Sequence, residues 1–136
     1  MFFKNNDKNQ NIDIVKIAAL LIHAAKIDDN YSIEEEEIIK KTMLILGAKD
    51  ENLENIIQKA KETEKNSNQI LEFTKEVKNM SNENKIKIVE ALWKIIYSNK
   101  EADMYETSLM RKLAGLMYID YKIMGDIKNR VKKENS

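Results

Sequence analysis

Between residues 28 and 37 the chain reads DDNYSIEEEE, which places Asp28, Asp29, Glu34, Glu35, Glu36 and Glu37 close together with no basic residue among them. Oxygen donors at this density suit a hard divalent cation such as calcium or magnesium. An EF-hand is excluded. Asp28, Asn30 and Ser32 occupy the first, third and fifth places of its loop, but the glycine and glutamate it needs further on are replaced by Ile33 and Ile39. A looser site built from Asp28, Asn30 and Glu35, with Asp29 or Glu34 assisting, fits the spacing. The same residues have a plainer use. Ser32 and Glu35 have the separation of a capping box, and acids in a first helical turn complement the helix dipole. Capping is worth about 1 kcal/mol, which explains these residue types and weighs more than a dedicated metal site. A second cluster, Glu101, Asp103 and Glu106 with Asn99, repeats the arrangement more weakly, because Lys100 in its middle opposes a cation.

Other chemistry finds less support. His23 is the single histidine, and a hydrolase triad would need a nucleophile and an orienting acid around it. It reads as a plain exposed side chain on the polar side of its helix. Trp93 and Tyr97, one turn apart and near Tyr105, have the spacing of core residues more than of a ligand pocket. Gly47, Gly115 and Gly125 are isolated, so no phosphate-binding loop exists, and the absence of cysteine removes thiolate catalysis, disulfides and cysteine-based zinc sites. A non-enzymatic protein without a cofactor, other than a divalent cation at the first loop, is expected; the alternatives are a plain protein-interaction scaffold without metal and, at low weight, an enzyme with a small pocket in which His23 or Tyr97 faces the acidic loops.

The elements that carry these residues are helices. The chain has 136 residues, no proline and only 3 glycines, so little in it interrupts an α-helix. Residues 1–10 read as a mobile arm and 11–134 as a single domain. Asn11 is a candidate cap for an apolar helix to Ile27, whose polar residues Asp13, Lys16, His23 and Lys26 share one arc, so it must be covered on most sides. Ser32, Asp50, Ser67, Ser81, Asp103 and Asp120 are candidate caps for six further helices, giving about seven. The stretch from Ile14 to Ile27, broken by Lys16, His23 and Lys26, is too short and too polar to cross a bilayer.

Sliding the chain over itself by 71 positions aligns apolar helix, polar loop, cap and amphipathic helix from Ala18 against Val89 to Gly47 against Tyr118. Leu21 meets Leu92, Ala25 meets Ile96, Ser32 meets Asp103 and Glu35 meets Glu106. Repeat one is placed at about 12–65, repeat two at about 82–133, and a connecting helix at about 68–80. Two such units, each led by a helix too apolar to be exposed, predict an all-α bundle with pseudo-twofold symmetry and the two apolar helices at its centre.

The segment AAKIDDNYSIEEEE (24–37) resembles the loop signature of the TerB-like proteins associated with tellurite resistance, in which an acidic loop, a Ser or Asp cap and a glutamate recur twice. Asp28 and Glu35 fit its spacing, and Asn99 and Glu106 hold the equivalent places. EFTKEV (72–77), the stretch 90–119 and the basic last helix are similar to a short, single-domain branch of that family. The resemblance implies the TerB-like fold and a connection to tellurite or general stress response; a cytoplasmic location is expected. Asp29 and Lys100 stand where the family pattern has glycine, and Asn99 where it has aspartate, which weakens the second loop as a metal site.

Formal net charge is zero, which disfavours nucleic acid as a partner. The balance is a cancellation: residues 1–68 carry 10 basic and 13 acidic side chains, and residues 69–136 carry 13 and 10. A protein partner, with the chain as a monomer or weak homodimer, is expected from that split. Lys128, Arg130, Lys132 and Lys133 read as a dipole-satisfying helix end, with peripheral contact to anionic lipid as the alternative.

Overall fold

All residues of the first helix, α1 (Ile14–Ala25), are buried except Ile14, Val15, Lys16 and His23. The computed structural model describes residues 13–27, 31–67, 70–98 and 104–134, and for 104–107 the backbone alone. The expected arm over 1–10 and the candidate cap Asn11 lie outside the described residues. After α1 come α2 (Ile33–Ile45), a 3₁₀ turn (Asp50–Asn52), α3 (Leu53–Asn66), α4 (Leu71–Lys78), α5 (Asn82–Tyr97), α6 (Met104–Leu116) and α7 (Tyr121–Glu134). The fold is all-α, as expected, and no strand occurs among the described residues.

α1 packs against α2, α3, α4 and α5, which explains why it lacks a wide polar face. α5 is the second hub, touching α1, α2 and α7, and it buries Ile88, Val89, Leu92, Trp93, Ile95 and Ile96. Between them the two helices hold much of one continuous core.

Many positions related by the 71-residue shift share the same burial. Leu21 and Leu92 are both fully buried, as are Ile39 of α2 and Met110 of α6 to within 1%, while Leu53 of α3 and Met124 of α7 are also core. The helix ends repeat as well. Gly47 has φ 112° and Tyr118, its counterpart, φ 57°. After Gly47 the Ala48 amide donates to the Met43 carbonyl at 2.9 Å, and after Tyr118 the Ile119 amide donates to that of Ala114 at 2.9 Å. Both are Schellman endings, which need a left-handed residue at that point. Glycine adopts it freely, whereas a tyrosine there costs about 1 kcal/mol. Tyr118 is 68% exposed, with the Lys78 ammonium 4.8 Å from its ring centroid.

Three caps lie where the residue types place them. The Ser32 hydroxyl accepts from the Glu35 amide at 3.1 Å, that of Ser81 accepts from the Asn84 amide at 3.2 Å, and the Asp120 carboxylate accepts from the Lys122 amide at 2.7 Å. Others differ from expectation. α1 starts later than expected and is capped by Asp13, whose carboxylate accepts from the Lys16 amide at 3.3 Å. Asp50 opens a 3₁₀ turn, and α3 begins after it without a side-chain cap. Ser67 closes α3 in place of opening α4, which starts at Leu71. In each case a polar residue of the right type stands at a helix boundary, but tertiary packing sets which side of it the helix lies on.

Candidate functional site

The first acidic segment emerges from the end of α1 and runs into the first turn of α2. Asp28, Asp29 and Asn30 lie outside the described residues; Tyr31 onward is described. Glu35 is 1% exposed. Its Oε1 accepts from the Ser32 amide at 2.7 Å and from the Ser32 hydroxyl at 3.2 Å, so the carboxylate closes a complete capping box. Glu34 is exposed beside it.

Glu36 turns toward α3. Its Oε1 lies 3.1 Å from the Lys61 ammonium and its Oε2 3.6 Å from that of Lys40, which also meets Glu54 at 2.8 Å. Burial pushes the Glu36 carboxyl up, but hydrogen bonds from Lys61 and Tyr31 and the two lysine charges hold it below the ordinary carboxylate value. The Tyr31 hydroxyl is buried beside Glu36 without a hydrogen bond of regular geometry, while Lys61 sits 5.4 Å over its ring. Burial first, then the Glu36 and Glu35 charges, push the Tyr31 phenol well above its usual range.

The acidic run is therefore divided by helical geometry. Glu35 points inward to the cap and Glu36 reaches across to α3. Glu34 and Glu37 reach a groove of about 670 Å³ on the outer side of α2. Ile38, Leu44, Ile45, Leu53 and Ala91 give that groove its apolar surface, and Lys40, Lys41, Lys87, Lys94, Asp50, Glu54 and Glu90 give it charge of both signs. Leu44 and Ile45 are 41% and 54% exposed. A second cavity, of about 410 Å³, is walled by Ile22, Lys26, Tyr31, Lys61 and Lys65. It lies where α1 and α3 both end, so its lysines complement two negative dipole ends.

Among the described residues no group of three or more histidine, cysteine or carboxylate side chains is placed to hold a metal ion. Of the second cluster, Glu101 and Asp103 lie outside the described residues, as do Asn99 and Lys100, and the side chain of Glu106 is not described.

His23 differs from the exposed, partnerless residue expected. Its Nδ1 lies 3.2 Å from Glu64 Oε2, and the Lys26 ammonium donates to Glu64 Oε1 at 2.7 Å. Burial raises the Glu64 carboxyl, yet the bonds from Lys26 and His23 and their charges bring it below its ordinary value. Trp93 is core, 2% exposed, donating from Nε1 to the Met124 carbonyl at 3.2 Å and stacked on Tyr97 with centroids 5.9 Å apart. Sequence reading missed the α2–α3 ion pairs and the partner of His23. A signal was present, since Glu54, Lys61 and Glu64 fall beside the α3 stripe formed by Leu53, Ile57 and Ala60, where charged side chains meet neighbouring helices.

No helix among the described residues is long and apolar enough to cross a membrane. No curated protein and no solved structure matches the chain. The family model described as tellurite resistance protein TerB matches residues 15–129. That match runs from α1 into α7, and the chain belongs to the TerB family.

Proposed function

We infer that this TerB-family chain is a non-enzymatic binding module that receives a protein partner in the groove between α2 and α5. The observation that carries the reading is the exposure of Leu44 and Ile45 at the end of α2, beside a groove with charges of both signs. An apolar centre with a polar rim is the anatomy of a specific interface. The family's description as a tellurite resistance protein supports a role in the response to tellurite; a wider stress response and a cytoplasmic location are part of the same proposal. The test is affinity capture with the intact chain beside a Leu44→Asp, Ile45→Asp double variant. A partner retained by the first at constant stoichiometry and lost by the second, with melting temperature unchanged, is the expected result. Equal capture by both overturns the groove as the site.

A second reading is divalent-cation binding at the first loop, favoured by the exposed carboxylate of Glu34 at the exit of an acidic run with no basic residue in it. Asp28, Asp29, Asn30 and Glu34 would supply oxygen ligands, calcium or magnesium being the ions they suit. Melting temperature is expected to rise with millimolar calcium or magnesium in the intact chain and not in an Asp28→Asn, Glu34→Gln variant. No rise in the intact chain removes this reading.

A further inference from the structure

We propose that the partner received by the α2–α5 groove is a second copy of this chain, with the two α2 helices lying antiparallel across a two-fold axis. This rests on the reading of the groove as an interface and names its occupant. Ile33, Glu34, Glu37, Lys41, Leu44 and Ile45 are exposed and fall within about a third of the circumference of α2. Glu35, Ile39, Thr42 and Met43 fill the other side and are buried. Along the helix the exposed face runs from apolar Ile33, 84% exposed, through acidic Glu34 and Glu37 and basic Lys41 to apolar Leu44 and Ile45. That order is complementary to itself when reversed. A two-fold axis at the level of Ile39 sets Glu37 of each copy opposite Lys41 of the other and brings Ile33 of each toward Leu44 and Ile45 of the other.

Charge favours a copy of the chain over a partner of one strong sign. Within the groove Lys40 is bridged to Glu54, and Glu90 to Arg130. The charges that remain are Glu34, Glu37 and Asp50 against Lys41, Lys87 and Lys94, none of them in an ion pair among the described residues. Such a balanced set repels as much of a uniformly charged partner as it attracts, whereas a reversed copy brings acid to base. Glu36 and Lys40, one turn apart on α2, are bridged at 3.6 Å, but Glu37 and Lys41, at the same spacing, are not. A pair along an open helix face is weak, so little holds these two side chains back from pairing across the axis. The zero net charge of the chain also removes the overall repulsion that keeps strongly charged proteins apart.

The test is analytical ultracentrifugation of the full chain from micromolar to millimolar concentration. A monomer–dimer equilibrium without larger species is expected, because an isologous interface closes on itself. Glu37→Lys alone and Lys41→Glu alone are each expected to raise the dimer dissociation constant by about tenfold or more, since the symmetry turns two attractions into repulsions at once. The double variant Glu37→Lys, Lys41→Glu restores opposite charges across the axis and is expected to recover association to within about threefold of the intact chain. A merely structural effect of either residue would not be rescued in this way. Dimerisation indifferent to the single reversals, or a double variant no better than the singles, overturns the proposal. A monomeric chain from which capture still returns another protein, lost in the Leu44→Asp, Ile45→Asp variant, overturns the second copy as occupant and leaves the groove reading standing. Equal capture by both chains with no self-association overturns the two together.

Discussion

His23 Nδ1 lies 3.2 Å from Glu64 Oε2, across 41 positions of sequence and between two helices, and Lys26 shares the same carboxylate. Because the folded state holds the Glu64 carboxyl below its ordinary 4.5, it is more easily ionised folded than unfolded. Its contribution is therefore present above the ordinary value and is lost as pH falls through the lower, folded one. Replacing Glu64 by Gln is expected to lower stability by about 1 kcal/mol at neutral pH, a figure held down by the exposure of both cations. It is also expected to flatten the decline on the acid side. Urea midpoints for both proteins from neutral pH to about pH 3 check both outcomes.

Ser32→Ala is expected to cost about 1 kcal/mol by removing half of the capping box. Glu35→Ala is expected to exceed it, because the carboxylate is buried and bonded to both the amide and the hydroxyl of Ser32. The double variant should cost less than the two single losses combined, since the residues share their bonds. Denaturant titration of the set measures this. A metal test that mutates Glu35 would confuse loss of the cap with loss of a ligand, which is why Glu34 is the better choice.

At the two Schellman endings substitutions are expected to act unequally. Gly47→Ala should destabilise by about 1 kcal/mol, because φ 112° disfavours any side chain. Tyr118→Gly should change stability by less than about 1 kcal/mol, the relief of strain being offset by the lost Lys78 contact. Thermal melts of the two variants decide the point.

Leu21 and Leu92, 71 positions apart and both fully buried, are expected to cost similar amounts when cut to Ala, about 3 kcal/mol each. A large inequality would mean that the two hub helices are not equivalent in packing. Chemical denaturation of the single variants reads it directly.

Most of the architecture was legible because it rests on local signals. The apolar breadth of α1 and α5, the Ser32–Glu35 spacing and the recurrence at 71 positions each read from neighbouring residues. The boundaries at Asp50 and Ser67 were less legible, since either residue type can stand at the start or the end of a helix and packing decides between them. The site was less legible still. Glu35 read first as a cap and second as a ligand, and it closes the cap, whereas the partners of His23, Glu36 and Lys40 come from α3, at separations no local pattern records. Asp28, Asp29 and Asn30, on which the cation reading turned, lie outside the described residues.

The chain holds one tryptophan, and its indole is locked between α5 and α7, bonded to the Met124 carbonyl with the Lys128 ammonium 5.5 Å from the ring centroid. That position makes Trp93 an optical reporter built into the C-terminal half of the chain. Its emission follows the docking of α7 on α5, while far-ultraviolet circular dichroism follows all the helices together. If the two halves loosen separately, the fluorescence and dichroism transitions will part; if they melt as one cooperative unit, the curves will coincide.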